Sequence, residues 1–157
     1  MAKVSKLLAG AVAAAVGLLV VLEGNPGKPY YDIAGVLTEC YGNTKGVDPN
    51  VIKTEAECRG LLQDEAYRIG KIVVQDNPDA PVSVVASGIS FTYNVGDYGY
   101  RRSTFRRELR RGNYEAACES LRMWDKYTDP GTGRLKVSKG LQNRRDKEVE
   151  LCLQDVE

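Results

Sequence analysis

The sequence predicts an α+β fold: a small β lobe and a larger helical lobe with a cleft between them, preceded by an apolar N-terminal helix. Three observations predict it. Residues 7–22, LLAGAVAAAVGLLVVL, are sixteen residues without a charge or a polar side chain. A purely soluble surface helix would show polar positions at a 3.6-residue period, and none occurs here. Residues 23–47 carry turn residues and short aromatic and β-branched runs. From Thr54 onward the pattern becomes helical. At 157 residues the chain is one folding unit by length, long enough for a real core.

The elements follow in order. Lys3 and Lys6 are the only charges before Glu23 and flank the apolar run. As a helix the run spans about 24 Å, short of the roughly 30 Å hydrocarbon core of a bilayer. Six of its first ten residues are Ala or Gly, so it is weakly hydrophobic. Basic flank and apolar run also describe a secretory signal, but Val20-Val-Leu-Glu-Gly24 follows instead of a small-x-small cleavage site. The run is therefore expected to stay attached. The lysines hold the N-terminus in the cytoplasm and place Glu23 outside. The competing reading is a buried core helix.

Asn25-Pro-Gly-Lys-Pro29 is turn chemistry. Tyr30-Tyr31 and Val36 to Tyr41 have strand composition, and 42–49 is loop. Thr54 with Glu57 forms a capping-box arrangement that opens a helix to about Val74. Pro78 and Pro81 break the chain. Further helices are expected over 82–93, 103–111 and 114–126, a loop over 129–133, and a last helix over 141–154.

Charge narrows the function. The net charge is +1, which is no global signature for nucleic acid, and the reading is of a monomer without a nucleic-acid partner. There is no histidine, which removes imidazole acid–base catalysis, Ser-His triads and most zinc sites. No metal or cofactor is expected, and hydrolysis would have to rest on carboxylates. The segment Glu23 to Gly42, EGNPGKPYYDIAGVLTECYG, supplies them, with Glu23, Asp32 and Thr38 at relative positions 0, +9 and +15. Cleaving a glycosidic bond needs one protonated carboxyl to donate to the leaving oxygen. It also needs one ionised carboxyl to face the developing cation or activate water. Glu23 reads as the general acid and Asp32 as its ionised partner. Thr38 reads as the hydroxyl that holds the attacking water.

This spacing resembles the phage lysozyme (endolysin) family of muramidases, which cut the glycan strands of bacterial peptidoglycan. That family reads Glu-Gly, Tyr-x-Asp and Thr at these separations. Thr54-Glu-Ala-Glu-Cys58 with Leu61-Leu-Gln-Asp64 is similar to its helix after the sheet. Phe91-Thr-Tyr-Asn-Val-Gly96 is similar to its (F/Y)-N-x-G segment. Gly140-Leu-Gln-Asn-Arg-Arg145 with Glu148 and Leu151 is similar to its C-terminal signature. The resemblance covers roughly 23–153.

It implies a lysozyme-like fold, catalysis by Glu23, Asp32 and Thr38, and a peptidoglycan glycan strand as substrate. Residues 1–22 resemble the anchor of the signal-anchor-release type. That type is exported, tethered inactive to the inner membrane through residues 7–22, then released to work in the periplasm. Residues 23–157 would be the catalytic domain. Asn43 departs from the family, whose members often carry His after the Tyr-Gly step, so no salt bridge from that position to Asp64 carries over.

Cys40, Cys58, Cys118 and Cys152 include no CxxC pair, and two disulfides in an exported protein have three possible connectivities. The resemblance implies Cys40–Cys58, from sheet to helix, and Cys118–Cys152, between two late helices. Six arginines in 101–111 read as attraction to an anionic surface or as a solvated helix face. Arg145 and Glu148 are spaced to pair on one helix face. Arg144 and Arg145 read as structural. Two other functions compete: a lytic transglycosylase, which needs no water-activating partner, and a non-catalytic, membrane-tethered wall-binding protein.

Overall fold

A computed structural model describes residues 2–157. Helix α1 (Ala2–Glu23) is the apolar run with its basic flank. Among the described residues it is the one helix long and apolar enough to cross a membrane. Gly24 ends it, with φ 66° and its amide on the Val20 carbonyl at 3.3 Å. Glycine tolerates that left-handed turn where a side chain would be strained. Leu7, Leu8, Ala11, Ala15, Val16 and Leu19 are buried, and α1 packs on α2 (Glu55–Asp76) and α3 (Val82–Arg101). Ala9, Ala13, Gly17 and Val21, four apart, face outward. The helix is thus two-sided in burial, with no polarity to mark it.

Strands β1 (Tyr30–Tyr31) and β2 (Leu37–Thr38) form an antiparallel hairpin pairing Tyr30 with Thr38 and Tyr31 with Leu37. The second strand is shorter than the composition of Val36 to Tyr41 predicts. A bridge between Glu39 and Asn43 folds the chain back, and Cys40 takes a positive φ of 55°. The disulfide Cys40–Cys58 fastens this bend to α2. Thr54 caps α2, its hydroxyl accepting from the Glu57 amide at 3.1 Å.

The helical lobe continues with α3, which runs past Tyr93 to Arg101 around a break at Gly96, φ 80°. Beyond its apolar stretch it is held by Tyr100, which packs on Phe105 of the following helix and donates to Asp76 of α2 at 2.8 Å. Helices α4 (Thr104–Arg111), α5 (Tyr114–Ser120) and α6 (Lys139–Leu153) complete the lobe. The helix expected over 114–126 ends at Ser120, whose hydroxyl turns back on the Ala117 carbonyl at 2.6 Å. A 3₁₀ turn over Leu121–Met123 follows. Strands β3 (Lys126–Thr128) and β4 (Leu135–Val137) then form a second hairpin that the sequence reading does not contain. The predicted loop over 129–133 is its turn, closed by Gly133 donating to the Asp129 carbonyl at 2.8 Å. Cys118–Cys152 joins α5 to α6. Both disulfides are those the resemblance implies.

Candidate active site

Glu23 is the last residue of α1, and its side chain is 20% exposed. Its Oε1 accepts from Arg144 Nη1 at 2.7 Å. A Cβ built on Gly42 would lie 3.5 Å from Oε2 and 3.9 Å from the Tyr93 ring, so the bend after β2 passes close by. Tyr93 donates to the Tyr41 carbonyl. Burial, helped by the charge of Glu23, pushes the Tyr93 hydroxyl well above its ordinary range, so it stays a donor.

Arg144 is aimed from behind. It lies 10% exposed between Glu23 and the fully buried Glu148, 3.6 Å from Glu148 Oε2. Glu148 is held by the Ser90 hydroxyl and by Arg145, which also donates to Asn94. Burial pushes the Glu148 carboxyl upward, against the pull of Arg145 and Arg144. The expected Arg145–Glu148 pair is present, at 2.5 Å. Arg144, read from sequence as structural, touches the candidate acid directly. Its local signals were its place four residues before Glu148 and its membership of the motif from Gly140 to Arg145.

Asp32 and Thr38 come together through hairpin register. Tyr30 pairs with Thr38, and the Asp32 amide donates to the Val36 carbonyl at 3.0 Å. Directly paired residues share a face and faces alternate along a strand, so Tyr30, Asp32, Val36 and Thr38 lie on one side. Asp32 Oδ1 accepts the amides of Ala34 and Val36 at 2.9 and 2.8 Å. These bonds fix the carboxylate through Oδ1. Thr38 is buried, 3% exposed, and its hydroxyl donates to the Val36 carbonyl at 2.9 Å. Its oxygen keeps lone pairs with which to accept from water.

Asn43 closes its own loop. Its amide nitrogen donates to Glu39 Oε1 and to the Lys45 carbonyl, each at 3.0 Å. Lys53 pairs with the same Glu39 oxygen at 2.6 Å. Asp64 lies on the exposed side of α2. The neutral amide thus does a loop-closing job that needs no partner on the helix.

The sequence profile of the phage lysozyme family matches residues 21–148. The SAR-endolysin of Bacteriophage PS119 is 39% identical over 155 residues, covering 92% of this chain and 87% of that one. The active form of the P1 phage endolysin Lyz has a similar structure, with a TM-score of 0.79, 25% identity, and coverage of 92% of this chain and 85% of that one. The secreted inactive form of Lyz superposes less well, with a TM-score of 0.53, 20% identity, and coverage of 89% and 96%. Family match and close relative together place it: the chain belongs to the phage lysozyme family.

Proposed function

We propose that this lysozyme-type glycoside hydrolase cuts the N-acetylmuramic–N-acetylglucosamine linkage through Glu23, Asp32 and Thr38. It is a phage endolysin of the signal-anchor-release type that lyses cells through their peptidoglycan. It is tethered to the inner membrane before its release into the periplasm. In our reading residues 1–22 are the anchor and 23–157 the catalytic domain. The released enzyme works as a monomer and engages no nucleic acid.

Glu23 donates the proton. Arg144 has only hydrogens to offer, so it pairs with Oε1 and leaves Oε2 as the oxygen that can carry a proton to the leaving group. Asp32, fixed by two turn amides, faces the developing oxocarbenium ion with Oδ2. Thr38 accepts a hydrogen bond from the water that attacks. The hairpin register that sets Asp32 and Thr38 on one face is the observation that carries this reading, because it gives the proposed chemistry an ionisable group and a hydroxyl on the same side.

The test is a digest of purified peptidoglycan followed by mass spectrometry. Hydrolysis releases reducing ends. Anhydro-muramic ends would instead establish a transglycosylase and remove the roles of Asp32 and Thr38. Intact glycan would leave a wall-binding protein.

A further inference from the structure

The six arginines of 101–111, with Ser103, line one groove of about 580 Å³. Two carboxylates are ion-paired with them, and Asp97, held by Arg68, acts on Arg101 from farther off. Asp76 holds Arg106 at 2.9 Å and lies 3.9 Å from Arg110, and Glu108 lies 3.4 Å from Arg107 and 3.5 Å from Arg111. Six guanidiniums less two carboxylates leave four positive charges in a chain whose total is +1, so the remainder sums to −3. The side chains of Arg107, Arg110 and Arg111 are 57–63% exposed. Arg102 stacks over the exposed ring of Tyr98 at 5.3 Å and over Trp124 at 5.1 Å. Guanidinium forks match phosphate oxygens, and exposed tyrosine beside arginine suits the headgroup layer of a bilayer.

The groove lies at the end of the molecule away from Glu23. Helix α2 begins at Glu55, which is bonded to Asn25 just past the end of α1, and finishes at Asp76, which pairs with Arg106 of the groove. Twenty-two helical residues span about 33 Å. At that same far end Lys3, near the start of α1, pairs with Asp79. The arginines are therefore too distant to hold a saccharide at Glu23.

We propose that this groove is a docking surface for anionic phospholipid headgroups, which keeps the released enzyme on the membrane with Glu23 pointing away from it. The orientation rests on the release reading above; the binding does not. Peptidoglycan also carries carboxylates, but single carboxylates make less use of six clustered forks than a sheet of phosphates.

The experiment uses the purified, released full chain with vesicles of phosphatidylcholine, alone or mixed with phosphatidylglycerol. Insertion of α1 contributes to both; the anionic component is the difference between them. That difference should be large in low salt and disappear in high salt. Arg101→Gln, Arg107→Gln and Arg110→Gln together leave Asp76 with Arg106 and Glu108 with Arg111. At roughly fivefold per arginine near an anionic surface, this triple change should lower the anionic component about a hundredfold. Cleavage of soluble glycan fragments should be unchanged, which also verifies folding. The matching triple Lys variant should keep most of the binding. Equal binding to both vesicles by the parent, or undiminished anionic binding by the Gln variant, overturns the proposal. So does arginine-dependent binding to sacculi without binding to vesicles.

Discussion

Arg144 holds Glu23 from 121 residues away, and that separation explains what could be read in advance at the residue scale. Glu23, Asp32 and Thr38 lie within sixteen residues and declare themselves by type and spacing. The guanidinium behind the acid comes from α6, and only folding brings it there. Glu23→Gln should abolish wall hydrolysis, a loss of about 10²–10⁴-fold or more, because the amide keeps the acceptor for Arg144 but has no acidic proton. Release of reducing ends, with the unfolding midpoint as control, checks this; near-parental turnover would end the assignment. Asp32→Asn should also be severe. It keeps one carbonyl oxygen for the two turn amides while removing the charge, so its structure should survive.

At the scale of elements, the helix with a clear sequence cap was legible: Thr54 opens α2 where expected. Ser103, expected as the first residue of its helix, is instead the cap of α4. The β3–β4 hairpin was not legible. Its strands are three residues each, too short for the alternation in Lys-Tyr-Thr and Leu-Lys-Val to stand out, and all six residues are exposed. Arg68 joins α2 to the stretch beyond the Gly96 break, pairing with Glu65 at 2.7 Å and Asp97 at 2.9 Å. Hydrogen bonds from Arg68 hold both carboxyls below their usual range. A carboxyl whose folded pKa is depressed gives stability above its unfolded pKa and loses it as the pH falls toward the folded one. The contribution should therefore be full above about pH 5 and fade below about pH 4. Thermal melts of the parent and of Arg68→Ala should differ at pH 7 and converge toward pH 3. The outward face of α1 offers another test. Ala9→Leu, Ala13→Leu and Gly17→Leu add apolar surface where the folded enzyme has room, each worth roughly 2–3 kcal/mol in the bilayer. Fractionation should find this variant retained in the membrane and lysis delayed. Leu at the fully buried Ala11 or Ala15 would overfill the core as well, confusing retention with misfolding.

For the molecule as a whole, the sequence carried the two-lobe plan because each lobe has its own composition. It did not show which face of α1 turns inward, since small and large apolar residues look alike on a polarity scale. Cys40–Cys58 and Cys118–Cys152 close loops of 18 and 34 residues. Loss of the second bridge by Cys118→Ser with Cys152→Ser should cost about 2–4 kcal/mol in denaturant melts. Neither bridge touches α1, and residues 1–39 contain no cysteine. The rest of the chain can therefore be covalently clipped while α1 is still elsewhere, leaving a slot between α2 and α3 for it to fill. Filling that slot joins two parts of one chain, so its rate carries no protein concentration. Every copy has the same rate constant from the moment of release, whether few or many are present. The noncovalent seating of one helix would make this protein a timer as well as a blade.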